Sequence, residues 1–313
     1  MSQQFLIEVI NEKAASEPEL FAEQCEEIYN IKVSEVADLI KKRAAISSVV
    51  FLAGPSGSGK TTTALKVTAA LQSIGITATT VSLDKYYKNH SQDCAPRLEN
   101  GEIDYESPYL LDLELLNEHF HALDKGEEVI IPHFSFKTQS RDSSKETPLK
   151  LGEGKIVIFE GIHALNDLLC GEHPDAFKLY VSAGSDVRQD GEILFRREWT
   201  RLLRRIVRDN NFRGTNASDT LSMWANVRLG EEKYITPFKH KADYIFDSSM
   251  AYEVLVMKSF ALHALQGVDT GSDRLNELSS ILSALDSFEL VDSELVPHDS
   301  ILREFIGGGS FKY

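Results

Sequence analysis

Three cysteines are too few and too scattered to staple this chain: Cys25, Cys94 and Cys170 leave an odd thiol and form no local metal knuckle, so a reducing compartment is expected. A basic surplus is missing too. Lys and Arg number 33 against 48 Asp and Glu, a net charge of −15, which argues against long nucleic acids as partners because no coherent basic face can follow a phosphate backbone. Long apolar runs are absent. The N-terminus, Met1 to Asn11, has no basic region and carries Glu8 inside its apolar stretch, so neither a signal peptide nor a membrane span is read there. A cytoplasmic location is the default expectation. No internal repeat or low-complexity tract occurs. What remains is ordinary for a globular chain: 313 residues, 42% hydrophobic and 26% charged, enough for a sizeable core in one large or two modest domains.

Apolar residues recur at helical spacing from Glu17 to Arg43, and the polar residue Asn30 suggests two helices separated there. Ser48–Ala53 is apolar and β-branched, ends in a Gly/Ser-rich loop, and precedes a helical stretch, Thr61–Ser73. Further strands are expected at Ala78–Leu83, Lys155–Glu160, Phe177–Val181 and Tyr244–Asp247. Helices are expected between them at Leu110–Leu123, Thr200–Asp209 and Ser218–Tyr234, then at Glu253–Leu265 and Asp273–Leu285. This alternation predicts an α/β fold: a mainly parallel sheet with helices on both faces, a helical N-terminal segment over 1–45, a main domain over 46–268, and a tail over 269–313 packed on it. Ligands of such sheets bind at the carboxyl ends of the strands.

Gly54-Pro55-Ser56-Gly57-Ser58-Gly59-Lys60-Thr61 fits G-x-x-x-x-G-K-[ST] between a strand and a helix, the context that a phosphate-binding P-loop requires. Its backbone N–H groups and the helix N-terminus would cradle phosphates, Lys60 would reach the β and γ oxygens, and Thr61 would offer its hydroxyl to Mg²⁺. Gly54 through Thr62 are therefore the expected ATP cradle. His240-Lys241-Ala242-Asp243 lacks the Asn of a guanine-reading N-K-x-D, which disfavours a GTPase.

Asp84, at the end of the second strand, could take or orient an acceptor's hydroxyl proton, or could cap the following turn. Glu160, at the end of another strand, could hold Mg²⁺ or its waters, or be structural. Arg201, Arg204, Arg205 and Arg208 share one side of a helix, with Arg213-Gly214 beyond. In an acidic chain that concentration reads as a phosphate clamp on a closing lid, about 186–216, with a solvated face as the bland alternative. Trp199, Trp224, Phe195 and Phe212 read as packing residues, and His163 as a buried histidine.

The P-loop, Ser82–Tyr87, Tyr105-Glu106-Ser107-Pro108, Ile131-Pro132, Phe159-Glu160-Gly161 and Arg204-Arg205-Ile206-Val207-Arg208-Asp209 occur in the order found in uridine kinases. The chain resembles the uridine kinase and phosphoribulokinase family, especially the bacterial uridine kinase-like nucleoside kinases. Those often carry an N-terminal TGS-type domain, to which nothing here corresponds. The resemblance implies a P-loop kinase using ATP and Mg²⁺ on a uridine- or cytidine-like nucleoside, with a homo-oligomer open. It implies Asp84 as base or orienting carboxylate, with Lys60 and Arg205 as its catalytic companions. Tyr87 would line the acceptor pocket, Glu106 would take the ribose hydroxyls, Arg205 would serve the acceptor side, Glu160 would serve Mg²⁺, and Arg208 and Arg213 the ATP phosphates.

Three positions depart from that pattern. Phe134 and Gln139 stand where uridine kinases hold the pyrimidine with a Tyr and a His, and Thr215 replaces an arginine after the lid glycine. A different alcohol acceptor, such as a sugar phosphate or a pantothenate-like molecule, is the alternative within the kinase reading. A non-catalytic nucleotide sensor and a simple ATPase are the alternatives outside it.

Overall fold

The computed structural model describes residues 5–89, 95–136, 138–266, 268 and 276–312. A two-residue strand, β1 (Phe5–Leu6), leads into α1 (Ile7–Ser16) and α2 (Pro18–Arg43). The helix break therefore falls at Glu17–Pro18, not near Asn30. Proline suits the first turn of a helix, where its missing N–H has no partner to lose. Phe21, Cys25, Tyr29, Val33, Val36 and Ile40 are buried along one face of α2, and that stripe carries the helix through Asn30 in spite of its weak propensity.

Then come β2 (Val49–Ala53), α3 (Lys60–Ser73), β3 (Ala78–Ser82) and α4 (Leu113–Asp124). Four short strands follow: β4 (Glu128–Ile131), β5 (Phe134–Ser135), β6 (Ser140–Arg141) and β7 (Thr147–Lys150). The chain continues through β8 (Ile156–Glu160), α5 (Asp167–Cys170), β9 (Phe177–Ser182), β10 (Val187–Gln189), β11 (Glu192–Phe195), α6 (Arg197–Arg208) and α7 (Ala217–Tyr234). It ends with β12 (Tyr244–Asp247), α8 (Glu253–Ala264), α9 (Asn276–Leu285) and α10 (Arg303–Ile306). The first three residues expected in the helix at 273–285 lie outside the described residues.

The five strands read as a sheet form one, in the order β12-β9-β2-β8-β3, and every pairing is parallel. Its three central strands, β9, β2 and β8, are buried almost end to end because both faces are covered, whereas the edge strands β3 and β12 keep polar, partly exposed positions. Val50 and Leu52, with Ile156 and Ile158, face a core shared with α2, α3, α6 and α8. Val49, Phe51 and Ala53, with Val157 and Phe159, face a second core shared with α4. Since all five strands run the same way, the carboxyl ends of β2, β3 and β8 share one edge, and the P-loop, Asp84 and Glu160 are delivered to it.

The remaining strands pair outside this sheet. β4 and β7 are antiparallel, β5 and β6 form a hairpin, and β10–β11 pairs with β1. Runs of two to four residues carry too little periodicity to be seen in sequence. Cys25 and Cys170 are buried thiols, and Cys94 lies outside the described residues. Among the described residues, no helix is long and apolar enough to cross a membrane.

Candidate active site

The P-loop turns tightly between β2 and α3. Gly57 and Gly59 adopt φ of 74° and 79°, the left-handed region that glycine enters without a Cβ clash. A Cβ on Gly59 would also stand 2.1 Å from the Ile301 side chain. The Lys60 ammonium donates to the Pro55 carbonyl at 3.1 Å, folding back over the loop toward where phosphates would lie. Burial lowers its pKa, and Glu160, Glu304 and Asp84 oppose that shift in decreasing order.

Thr61, Ser82, Asp84, Glu160, Arg208 and Arg213 line one cavity of about 590 Å³. The Ser82 hydroxyl caps the turn at Leu83–Tyr86 by accepting from the Asp84 N–H at 3.3 Å, so the capping role belongs to Ser82. The Asp84 carboxylate opens onto the cavity, yet it is enclosed by the cleft walls. That enclosure raises its pKa, while Lys60, Arg213 and Arg208 pull it down. Glu160 lies deeper, 5% exposed, and burial followed by the nearby Asp84 pushes it up to about 7. Hard oxygen donors at this edge, the Thr61 hydroxyl and the Glu160 carboxylate, suit Mg²⁺, which binds through one or two side chains plus substrate phosphates.

The arginines divide into two groups. Arg204 is fully buried; it pairs with Glu253, at 2.8 Å on one arm, and donates to the Ser248 and Gly57 carbonyls at 3.0 and 3.2 Å. Arg201 is 4% exposed and bound to Glu231. These two brace the P-loop from behind, which corrects the reading of all four as a phosphate clamp; their charge is already spent on buried carboxylates. Arg205 donates to the Ser56 hydroxyl at 2.9 Å, Arg208 pairs with Asp209 at 2.8 Å, and Arg213 is 58% exposed beside the same aspartate at 3.6 Å. Arg205 also lies 3.4 Å from Asp209, so these three guanidiniums share one buried carboxylate and leave a surplus of positive charge near the P-loop mouth. Thr215 donates its N–H to the Asp209 carbonyl at 3.2 Å.

A second pocket is lined by Tyr87, Phe134 and Gln139 together with Lys88, Tyr105 and Phe136. The rings of Tyr87, Phe134 and Phe136 meet mutually, with centroids 5.2–5.5 Å apart. Gln139 turns the β5–β6 hairpin with φ 52°. Glu106 packs so closely over α7 that a Cβ on Gly230 would stand 2.2 Å from its own Cβ. Burial pushes its carboxyl up to about 7, opposed first by Arg205 and then by Lys60. Tyr87 bridges the two regions, being close enough to both Asp84 and Glu106 to feel their charge. His163 is buried edge-on to Tyr234, and burial lowers it to about 4, which keeps it neutral.

Some participants were not visible in sequence. Trp199, Trp224 and Phe195 do pack in the core, but Phe212 is 57% exposed and lines the mouth of the cavity. The C-terminal residues Glu304, Gly307, Gly308 and Gly309 form the cavity's opposite wall. Asp104, hidden from motif reasoning, supports the loop that carries Glu106 by accepting from the Tyr234 hydroxyl at 2.8 Å and the Glu106 N–H at 3.2 Å.

A family model described as the Phosphoribulokinase / Uridine kinase family matches residues 49–254. A uridine kinase of Halobacterium salinarum is 30% identical over 200 residues, covering 64% of this chain and 79% of its own. A uridine kinase of Macrococcus caseolyticus is 29% identical over 217 residues, 68% of this chain and 95% of its own. Among solved structures, one from Silicibacter sp. TM1040, provisionally described as a fructose transport system kinase, superposes with a TM-score of 0.49 at 21% identity. It covers 65% of this chain and 95% of its own.

Proposed function

Because the chain belongs to the phosphoribulokinase and uridine kinase family and is thus a P-loop kinase acting on an alcohol, we propose that it transfers the γ-phosphoryl group of ATP to the 5′-hydroxyl of a nucleoside. The observation that carries the acceptor class is the ring-lined pocket of Tyr87, Phe134 and Phe136, which adjoins Asp84 through Tyr87. Flat aromatic walls suit a heteroaromatic base, and Glu106 beyond them suits ribose hydroxyls.

In this reading the P-loop amides and Lys60 hold the β and γ phosphates, while Thr61 and Glu160 would hold Mg²⁺, which neutralises charge on the transferring group when bound. Asp84 orients the acceptor hydroxyl and takes its proton. Lys60, Arg213 and Arg208 oppose the rise that the enclosing cleft imposes on its carboxyl, which favours the carboxylate form that can take the proton. Arg205 reaches the acceptor side from the P-loop mouth, and Arg208 and Arg213 neutralise developing charge on the phosphates.

A smaller alcohol is the second reading, favoured by the size of the ring-lined pocket, about 110 Å³. The deciding experiment is ADP production from Mg-ATP by the purified chain against ribonucleosides, deoxyribonucleosides and small alcohols, with product mass determined and a no-acceptor control. A nucleoside-dependent signal with a monophosphate product establishes the first reading. A signal only with smaller alcohols establishes the second, an acceptor-independent signal indicates an ATPase, and nucleotide binding without turnover indicates a sensor.

A further inference from the structure

The first turn of α3 offers its N–H groups to phosphate in any P-loop. Here one of those groups meets a carboxylate from the other end of the chain. Glu304 Oε2 accepts from the Thr62 hydroxyl at 2.6 Å and from the Thr62 N–H at 3.3 Å. The same carboxylate ranks second among the acidic groups that act on Lys60. A carboxylate with donors of this kind stands in for a phosphate oxygen: same charge sign, same acceptor chemistry, same partners.

The backbone that delivers Glu304 is anchored. Ile301, Leu302 and Phe305 on either side of it are fully buried, and Ile301 lies against Gly59. Lys66, one turn further along α3, holds Asp299 by its carboxylate at 2.8 Å and its carbonyl at 2.9 Å. Tail displacement as a whole would uncover this apolar contact. Rotation of the Glu304 side chain alone would not, and the cavity of about 590 Å³ that it borders leaves room for that rotation.

We propose that Glu304 is a built-in competitor for the phosphate groups: its carboxylate holds Thr62 until ATP arrives and must swing aside for the nucleotide to seat. The C-terminal tail thereby sets nucleotide affinity. This rests on the P-loop being the ATP site. Two acceptors cannot share the Thr62 donors, so nucleotide binding carries the cost of breaking the Glu304 contact.

The test is titration of the full chain with a ribose-labelled fluorescent ATP analogue, comparing wild type, Glu304→Gln, Glu304→Asp and Lys60→Ala, each checked by thermal melting. Glu304→Asp is the sharper variant, since it keeps the charge but shortens the side chain by one methylene and withdraws the carboxylate from Thr62. Both Glu304 variants are expected to bind roughly tenfold more tightly, the size of one charge-assisted hydrogen bond. Wild-type affinity in Glu304→Asp would reduce the effect to charge repulsion and overturn the proposal, and weaker binding in either variant would do the same. Should Glu304→Gln fail to fold, Glu304→Asp alone decides. Binding by wild type that Lys60→Ala abolishes keeps the ATP-site reading whatever the Glu304 variants do. No binding by wild type removes that reading and the competitor with it.

Discussion

Arg201 and Glu231 form a two-armed ion pair, 2.8 and 2.7 Å, while the Arg201 Nε donates to the Ser56 carbonyl in the P-loop at 3.1 Å. One buried guanidinium therefore ties the phosphate loop, α6 and α7 together. Glu231→Ala would strand that charge in the interior, at a cost of about 3–5 kcal/mol in unfolding free energy measured by urea titration. Replacing both partners, Arg201→Met with Glu231→Leu, is expected to recover most of the loss. A double variant no more stable than the single one would contradict this account.

Asp84→Asn keeps the shape of the site and removes the proton acceptor. Turnover with the best acceptor is expected to fall by about two to four orders of magnitude, with nucleotide affinity nearly unchanged. Near-normal kcat would reassign the base.

Glu106 carries a pH signature. Its carboxyl titrates at an ordinary 4.5 in the unfolded chain and at about 7 in the folded one, because burial, with Asp104 and Glu231 nearby, outweighs Arg205 and Lys60. A raised carboxyl binds its proton more tightly when folded, so its contribution to stability is fully present below pH 4.5 and lost as pH rises toward about 7. Glu106→Gln is thus expected to stabilise the protein relative to wild type more at pH 8 than at pH 5, read from melting temperatures. An equal difference at both values would contradict the shift.

Phe134→Ala removes one wall of the ring-lined pocket. Acceptor KM should rise roughly tenfold, the order expected from losing one aromatic face, while the KM for ATP stays put. A change in the ATP value alone would move Phe134 out of the acceptor site.

The parallel sheet and the P-loop were legible because each is local: continuous apolar runs of five or six residues, and eight consecutive residues with fixed roles. Asp84 and Glu160 were legible for the same reason, as acidic residues at strand ends. The arginine helix misled in part, since spacing reveals that four guanidiniums share a side but not that Glu231 and Glu253, far along the chain, already neutralise two of them. Asn30 misled because burial of Tyr29 and Val33 outweighs its propensity. Glu304 was invisible as a site residue, because its partner Thr62 lies at the opposite end of the sequence and no motif joins them.

The central position of β2 has a consequence for how the molecule is made. Val49 pairs with Val157, and Val50 with Phe177, so the strand that carries the P-loop has no sheet neighbour until half of the chain has left the ribosome. Its five apolar residues must wait as an unpaired, sticky segment during synthesis, the situation in which slow, non-local pairing invites aggregation. Completion comes later still, when Ile301 covers Gly59. A ribosome-bound chain stalled at residue 150 should therefore be protease-sensitive throughout, with protection of β2 appearing only once β8 and β9 have emerged.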